Sequence, residues 1–93
     1  MRDELYAMSS VMLNDIAMLR SEKIKVVEVI DDIRGCNMML SLILNEPLTP
    51  DSEMFIYNAK AFSTAIHSCI NRDRVYNERS KLQKNRSWIK MFL

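Results

Sequence analysis

Apolar residues recur through the first half of the chain at helical spacing. Ile16, Lys23, Ile30, Asn37 and Leu44 fall every seven residues, and Leu19, Val26, Ile33 and Leu40 form a second row. The two rows make an a/d seam with Lys23 and Asn37 as its polar members. Val27, Val29, Cys36 and Ile43 widen it into a stripe that suits a packed bundle better than a bare two-stranded coil. Leu5, Met8 and Met12 carry the face back toward the start in a shifted register. This pattern predicts helix over 3–45, about 60 Å long if unbroken at roughly 1.5 Å per residue. Ser21 is a candidate cap for a new helix, and Gly35 a candidate stop or kink. Residues 23–30 are rich in β-branched side chains, so a strand is the second reading there.

The clearest boundary is Asn45-Glu46-Pro47-Leu48-Thr49-Pro50-Asp51. Pro47 disfavours helix at the residue before it, so the first helical region ends near Asn45 and 46–49 is a loop. Thr49 then occupies an N-cap position with Pro50 as the first helical residue. Asp51 and Glu53 fall in the first turn, where the helix dipole favours negative charge. Beyond it, Phe55, Ala59, Phe62, Ile66, Cys69 and Ile70 form a second helical stripe. Helix is predicted over 50–87, with a largely polar stretch from Asn77 to Ser87. The last six residues then turn apolar again, with Trp88, Ile89, Met91, Phe92 and Leu93.

Length and composition narrow the class. At 93 residues the chain makes one small domain, too short for a Rossmann or barrel enzyme. One Gly and two Pro are too few for the turns of an all-β fold. The fold class read from the sequence is therefore all-α, a helical hairpin or small bundle with long helices. Two amphipathic helices alone bury little apolar surface, so completion by oligomerisation is expected, most simply as a homodimer. The seam residues Ile16, Leu19, Val26, Ile30, Ile33, Asn37, Leu40 and Leu44 are the candidate oligomer interface, with Asn37 a candidate register specifier.

Charge adds one asymmetry. Residues 1–50 hold five Lys/Arg against eight Asp/Glu, leaving −3, and residues 51–93 hold eight against four, leaving +4. Arg72, Arg74, Arg79, Lys81, Lys84 and Arg86 are candidate phosphate contacts for a nucleic-acid-binding helix. They do not fall on one stripe, Asp73 and Glu78 interrupt them, and no zinc-finger, RNA-recognition or basic-zipper pattern accompanies them. A solvated face is the preferred reading. Pairing of the acidic and basic halves, within or between chains, is a further one.

Candidate chemistry is sparse. His67 is the one histidine, and Cys69 two positions on points to a different helix face. No Gly-flanked serine or Gly-rich phosphate loop is present. Glu28, Asp31 and Asp32 cluster, but a solvated helix face explains them. A closed zinc site needs about four Cys or His ligands, and the sequence offers three. No catalytic residue, metal or cofactor is expected. Cys36 and Cys69 read as buried reduced thiols, and the start Met-Arg-Asp-Glu does not resemble a secretory signal. No run approaches the roughly 20 apolar residues of a membrane span. The expected setting is the cytoplasm, of a cell or of an infected host. Met8, Met12, Met18, Met38, Met39 and Met54 are read as core filling rather than an adaptable groove.

The expected function is a non-enzymatic protein–protein interaction module: a small adaptor, inhibitor or chaperone-like protein. It would act through helix packing and the apolar segment Trp88, Ile89, Met91, Phe92 and Leu93, where Trp is a frequent hot spot. A nucleic-acid-binding regulator using the basic second half is the alternative.

Overall fold

The computed structural model describes residues 2–73. They form an all-α fold of three helices: α1 (Arg2–Arg20), α2 (Ile30–Ile43) and α3 (Pro50–Asp73), with a single 3₁₀ turn at Val26–Val29 leading into α2. The predicted continuation of the last helix to 87 and the apolar segment 88–93 lie outside the described residues.

The first half is two helices rather than one rod, and the stop is made without glycine. Glu22 takes a left-handed backbone conformation at φ 61°. Its amide donates to the Leu19 carbonyl at 3.2 Å, and the Lys23 amide donates to Met18 at 2.9 Å. These two bonds are the Schellman closure of a helix end, which usually places Gly where Glu22 stands. Ser21 Oγ also donates to the Met18 carbonyl, at 3.2 Å. Ser21 thus helps close α1 and does not cap a new helix.

The β-branched run does not form a strand. The Lys25 amide donates to the Glu28 carboxylate at 2.6 Å, and the Glu28 amide donates to the Lys25 carbonyl at 3.0 Å. The resulting turn repeats every three residues, so Val26 and Val29 share one face, and both are buried. Gly35 neither stops nor ends α2, which runs on to Ile43.

The start of α3 has the predicted chemistry. Thr49 Oγ1 accepts the Ser52 amide at 3.2 Å, the Thr49 carbonyl accepts the Glu53 amide at 2.9 Å, and Pro50 opens the helix. Pro lacks a donor, so it costs nothing at that first position.

Cross-chain contacts set the topology. Tyr6 Oη donates to Asp51 at 2.7 Å at one end of the molecule, and Arg72 Nη1 donates to the Leu19 carbonyl at 2.7 Å at the other. α1 and α3 therefore run parallel. Leu5 and Ile43 line one recess, whereas Met8, one turn further along α1, meets Gly35 two turns earlier on α2, so α2 runs antiparallel to α1. The order is up, down, up.

The two sequence stripes meet in the middle. Met12, Leu19, Val26, Ile33, Leu40, Phe55 and Phe62 are at most 1% exposed, and Ala59, Ile66, Cys69 and Ile70 join them in one core. Burying a large apolar side chain contributes roughly 1.5–3 kcal/mol, so this core is the main source of stability.

Candidate docking surface

Of the eight candidate interface residues, Ile16, Leu19, Val26, Ile30, Ile33 and Leu40 lie inside the core of the single chain. Their seam is closed by α3, and their burial needs no second copy. Asn37 is half-buried on α2. Leu44 caps α2 and is 47% exposed. Seven-residue spacing locates apolar rows equally well whether the covering helix comes from the same chain or another, which is why the sequence did not separate the two.

Of the basic set, Arg72 falls within the described residues. It is a closing group for the fold rather than a free cation. Its guanidinium donates to the Leu19 carbonyl at 2.7 Å and the Ile24 carbonyl at 3.3 Å, and it lies 4.0 Å from Glu22. Arg74, Arg79, Lys81, Lys84 and Arg86 lie outside the described residues, as do Trp88, Ile89, Met91, Phe92 and Leu93.

The thiols are as read. Cys36 and Cys69 are free and buried. Burial pushes the Cys36 thiol up to about 12, leaving it protonated and unreactive at neutral pH. Cys69 Sγ donates weakly to the Leu19 carbonyl at 3.7 Å. Among the described residues no group of three or more His, Cys, Asp or Glu converges to hold a metal, and no helix is long and apolar enough to cross a membrane.

Part of what the fold leaves uncovered is apolar. Met38 is 63% exposed and Met54 58%, so these two are surface residues rather than core filling. Met12 is fully buried, and Met8 and Met39 are partly buried against the core. The helix ridges explain the split. Met8 and Met12 follow the face of Leu5 and Ile16 at spacings of three and four, whereas Met38 stands apart from the Ile33–Leu40 row.

Met8, Met38 and Met39 meet in a groove between α1 and α2. Its other lining residues are Ala7, Val11, Gly35 and Glu4, so one charged residue borders an otherwise apolar channel. Gly35 shapes the floor: a Cβ there would lie 2.6 Å from Met8 Cε, so the missing side chain admits the thioether tip. The groove volume is about 250 Å³, below the roughly 300–1,000 Å³ of small-molecule sites, and it is open along the helices. It has room for side chains of another polypeptide. Met side chains suit this because they are flexible and polarisable and re-pack around different shapes.

A second furrow, between α1 and α3, is more polar. Tyr6, Leu13 and Met54 share it with Ser9, Ser10, Asp51 and Asn58.

Farther along the same two helices stand two carboxyl groups, the buried Asp15 on α1 and the half-buried Asp32 on α2. Asp15 lies one turn from Val11, and Asp32 one turn from Gly35. Asp15 is only 6% exposed, and its Oδ2 is buried without a hydrogen-bond partner among the described residues. Burial first, then the hydrogen bond and the negative charge of Asp32, push the Asp15 carboxyl up to about 7. Nothing in the one-dimensional pattern separates this aspartate from its exposed neighbours, because its partner is seventeen positions away on another helix.

No protein-family model matches the chain, and no curated protein or solved structure is significantly similar to it.

Proposed function

We propose that this chain is a non-enzymatic interaction module of the cytoplasm that binds another polypeptide through the α1–α2 groove. The observation that carries this reading is the exposure of Met38 and Val11 over a groove of almost wholly apolar lining. Exposed single apolar residues are ordinary, but a contiguous patch with an apolar floor marks an interaction surface. The occupant would be an apolar segment presenting side chains at helical spacing, the usual helix-in-groove mode. A second copy of the chain is one such partner, and a homodimer would then form through this groove rather than through the buried seam. An adaptor, inhibitor or chaperone-like role is consistent with an adaptable methionine surface.

The test compares capture by the wild type, by a Val11→Glu/Met38→Glu double variant and by a Lys60→Glu control, an exposed residue of α3 outside the groove lining. Quantitative recovery of bound proteins, including tagged copies of the chain itself, is the readout. Loss of the same partners from the double variant alone, with an unchanged helical spectrum, supports the reading. Equal recovery by all three overturns it. The nucleic-acid reading gains nothing from Arg72, whose donors are taken by main-chain carbonyls. Salt-dependent retention on a DNA or RNA column would revive it.

A further inference from the structure

We propose that segment 88–93 of this same chain docks into the α1–α2 groove and holds it in the absence of a partner. The inference rests on the groove being a docking surface, and it names the occupant that a partner must displace.

The segment has the chemistry the groove asks for. Trp88, Ile89, Met91, Phe92 and Leu93 are apolar, and Trp88, Met91 and Phe92 recur at i, i+3 and i+4. That is the anchor spacing of helix-in-groove recognition. The groove offers Ala7, Met8, Val11, Met38 and Met39 as apolar lining, with Glu4 as the charge at its border. Lys90 is the charged residue of the segment, opposite in sign to Glu4. Leu42, one turn beyond Met38 and also exposed, prolongs the apolar ridge along α2. The α1–α3 furrow is a poorer match, because Ser9, Ser10, Asp51 and Asn58 line it.

Charge favours the same closure. Residues 2–73 carry seven Lys/Arg against eleven Asp/Glu, leaving −4, whereas residues 74–93 carry six against one, leaving +5. This attraction draws the segment back onto the helices, and the apolar fit selects the groove.

The chain is long enough. Arg72 fixes the last turn of α3 beside Leu19, in the last turn of α1. From Leu19 back to Met8 is about 16 Å along α1, at roughly 1.5 Å per residue. Crossing one helix adds about 8–10 Å. Residues 74–87 can span up to about 46–50 Å, at roughly 3.3–3.6 Å per residue. A tether of this length gives an effective concentration in the millimolar range. Modest contacts therefore fill the groove within one chain, where a second copy at micromolar concentration would leave it empty.

Trp88 is the chain's one tryptophan, so its fluorescence reports on the segment without a label. In the full chain at low micromolar concentration, its emission should lie to the blue of free tryptophan. Val11→Glu/Met38→Glu should move it to the red with an unchanged helical spectrum. Gly35→Ala, which pushes Met8 into the groove, should move it the same way, and decides alone if the double variant loses helix. Met54→Glu, in the furrow, and tenfold dilution of the wild type should both leave the emission in place. Wild-type emission at the free-tryptophan position overturns the proposal. So does emission that ignores both groove changes or that follows Met54→Glu. Emission that reddens on dilution overturns it in favour of the segment of a second copy. Trp88→Ser/Phe92→Ser in the full chain removes the competitor, so recovery of a groove-bound partner should rise roughly 2–10-fold. Unchanged or lower recovery overturns the competition. If the groove changes redden Trp88 in a chain that captures no partner, the reading of a groove for another polypeptide fails alone. If capture is lost in Val11→Glu/Met38→Glu while Trp88 does not respond, the contact within the chain fails alone.

Discussion

The Arg72 guanidinium donates to the main-chain carbonyl of Leu19 at 2.7 Å, fastening the last turn of α3 to the last turn of α1. A second donor reaches Ile24, so one side chain closes both the helix end and the loop that leaves it. Helix-terminal carbonyls lack intrahelical partners and must be satisfied from outside. Arg72→Met keeps the stem and removes the donors. It should lower stability by about 1–2 kcal/mol, since Leu19 retains the Glu22 amide. In thermal melts followed by far-ultraviolet circular dichroism, a change of about 1 kcal/mol moves the midpoint by roughly 4–8 °C at this size. An unchanged midpoint would show that the contact contributes nothing.

Glu22 holds a backbone conformation at φ 61°, which glycine adopts without strain. Glu22→Gly should therefore stabilise the fold by up to about 1 kcal/mol, even after loss of the distant Arg72 pair. Urea unfolding measures it through the transition midpoint. A lower midpoint would mean that the Glu22 side chain matters more than its backbone.

The same residue shows where the sequence was readable and where it was not. Leu19, Val26, Ile33 and Leu40 were found by spacing and are all buried, as are Phe55, Phe62 and Ile66. Thr49 and Pro50 announced α3 through local chemistry that acts within one turn. The end of α1 carried no such mark, because a Schellman closure built on Glu22 lacks its usual glycine. The one glycine, Gly35, lies inside α2 and serves a neighbouring helix instead. Met38 and Asp15 were illegible for a related reason. Exposure of the first and burial of the second depend on how α2 leans on α1, which the period within either helix does not encode.

Gly35→Ala separates stability from binding. The new Cβ would fall 2.6 Å from Met8 Cε, the far end of a flexible side chain that swings aside. Helix propensity favours Ala by about 1 kcal/mol, so the melting midpoint should hold or rise. The displaced Met8 fills the groove, and recovery of the groove partner should fall. Unchanged recovery would place binding elsewhere.

Stability should depend on pH through Asp15 with an unusual sign. Its folded pKa is raised, so between about pH 4 and pH 7 the folded chain holds a proton that the unfolded chain has released. Stability is then fullest below the ordinary aspartate range, falls as pH rises toward 7, and levels above it. Asp15→Asn removes that slope. The variant should gain about 1–3 kcal/mol on the wild type at pH 8, and little at pH 4. Paired urea titrations at the two pH values measure the difference, and a constant gap would contradict the assignment.

Direct capture decides whether the α1–α2 groove receives another polypeptide. A photo-reactive amino acid placed at Met38, and separately at Lys60 on the exposed face of α3, tests it in living cells. A discrete protein adduct is expected from position 38, absent from position 60 and lost when Val11→Glu is added. Adducts of equal yield from both positions, or adducts from position 38 that survive Val11→Glu, would contradict it.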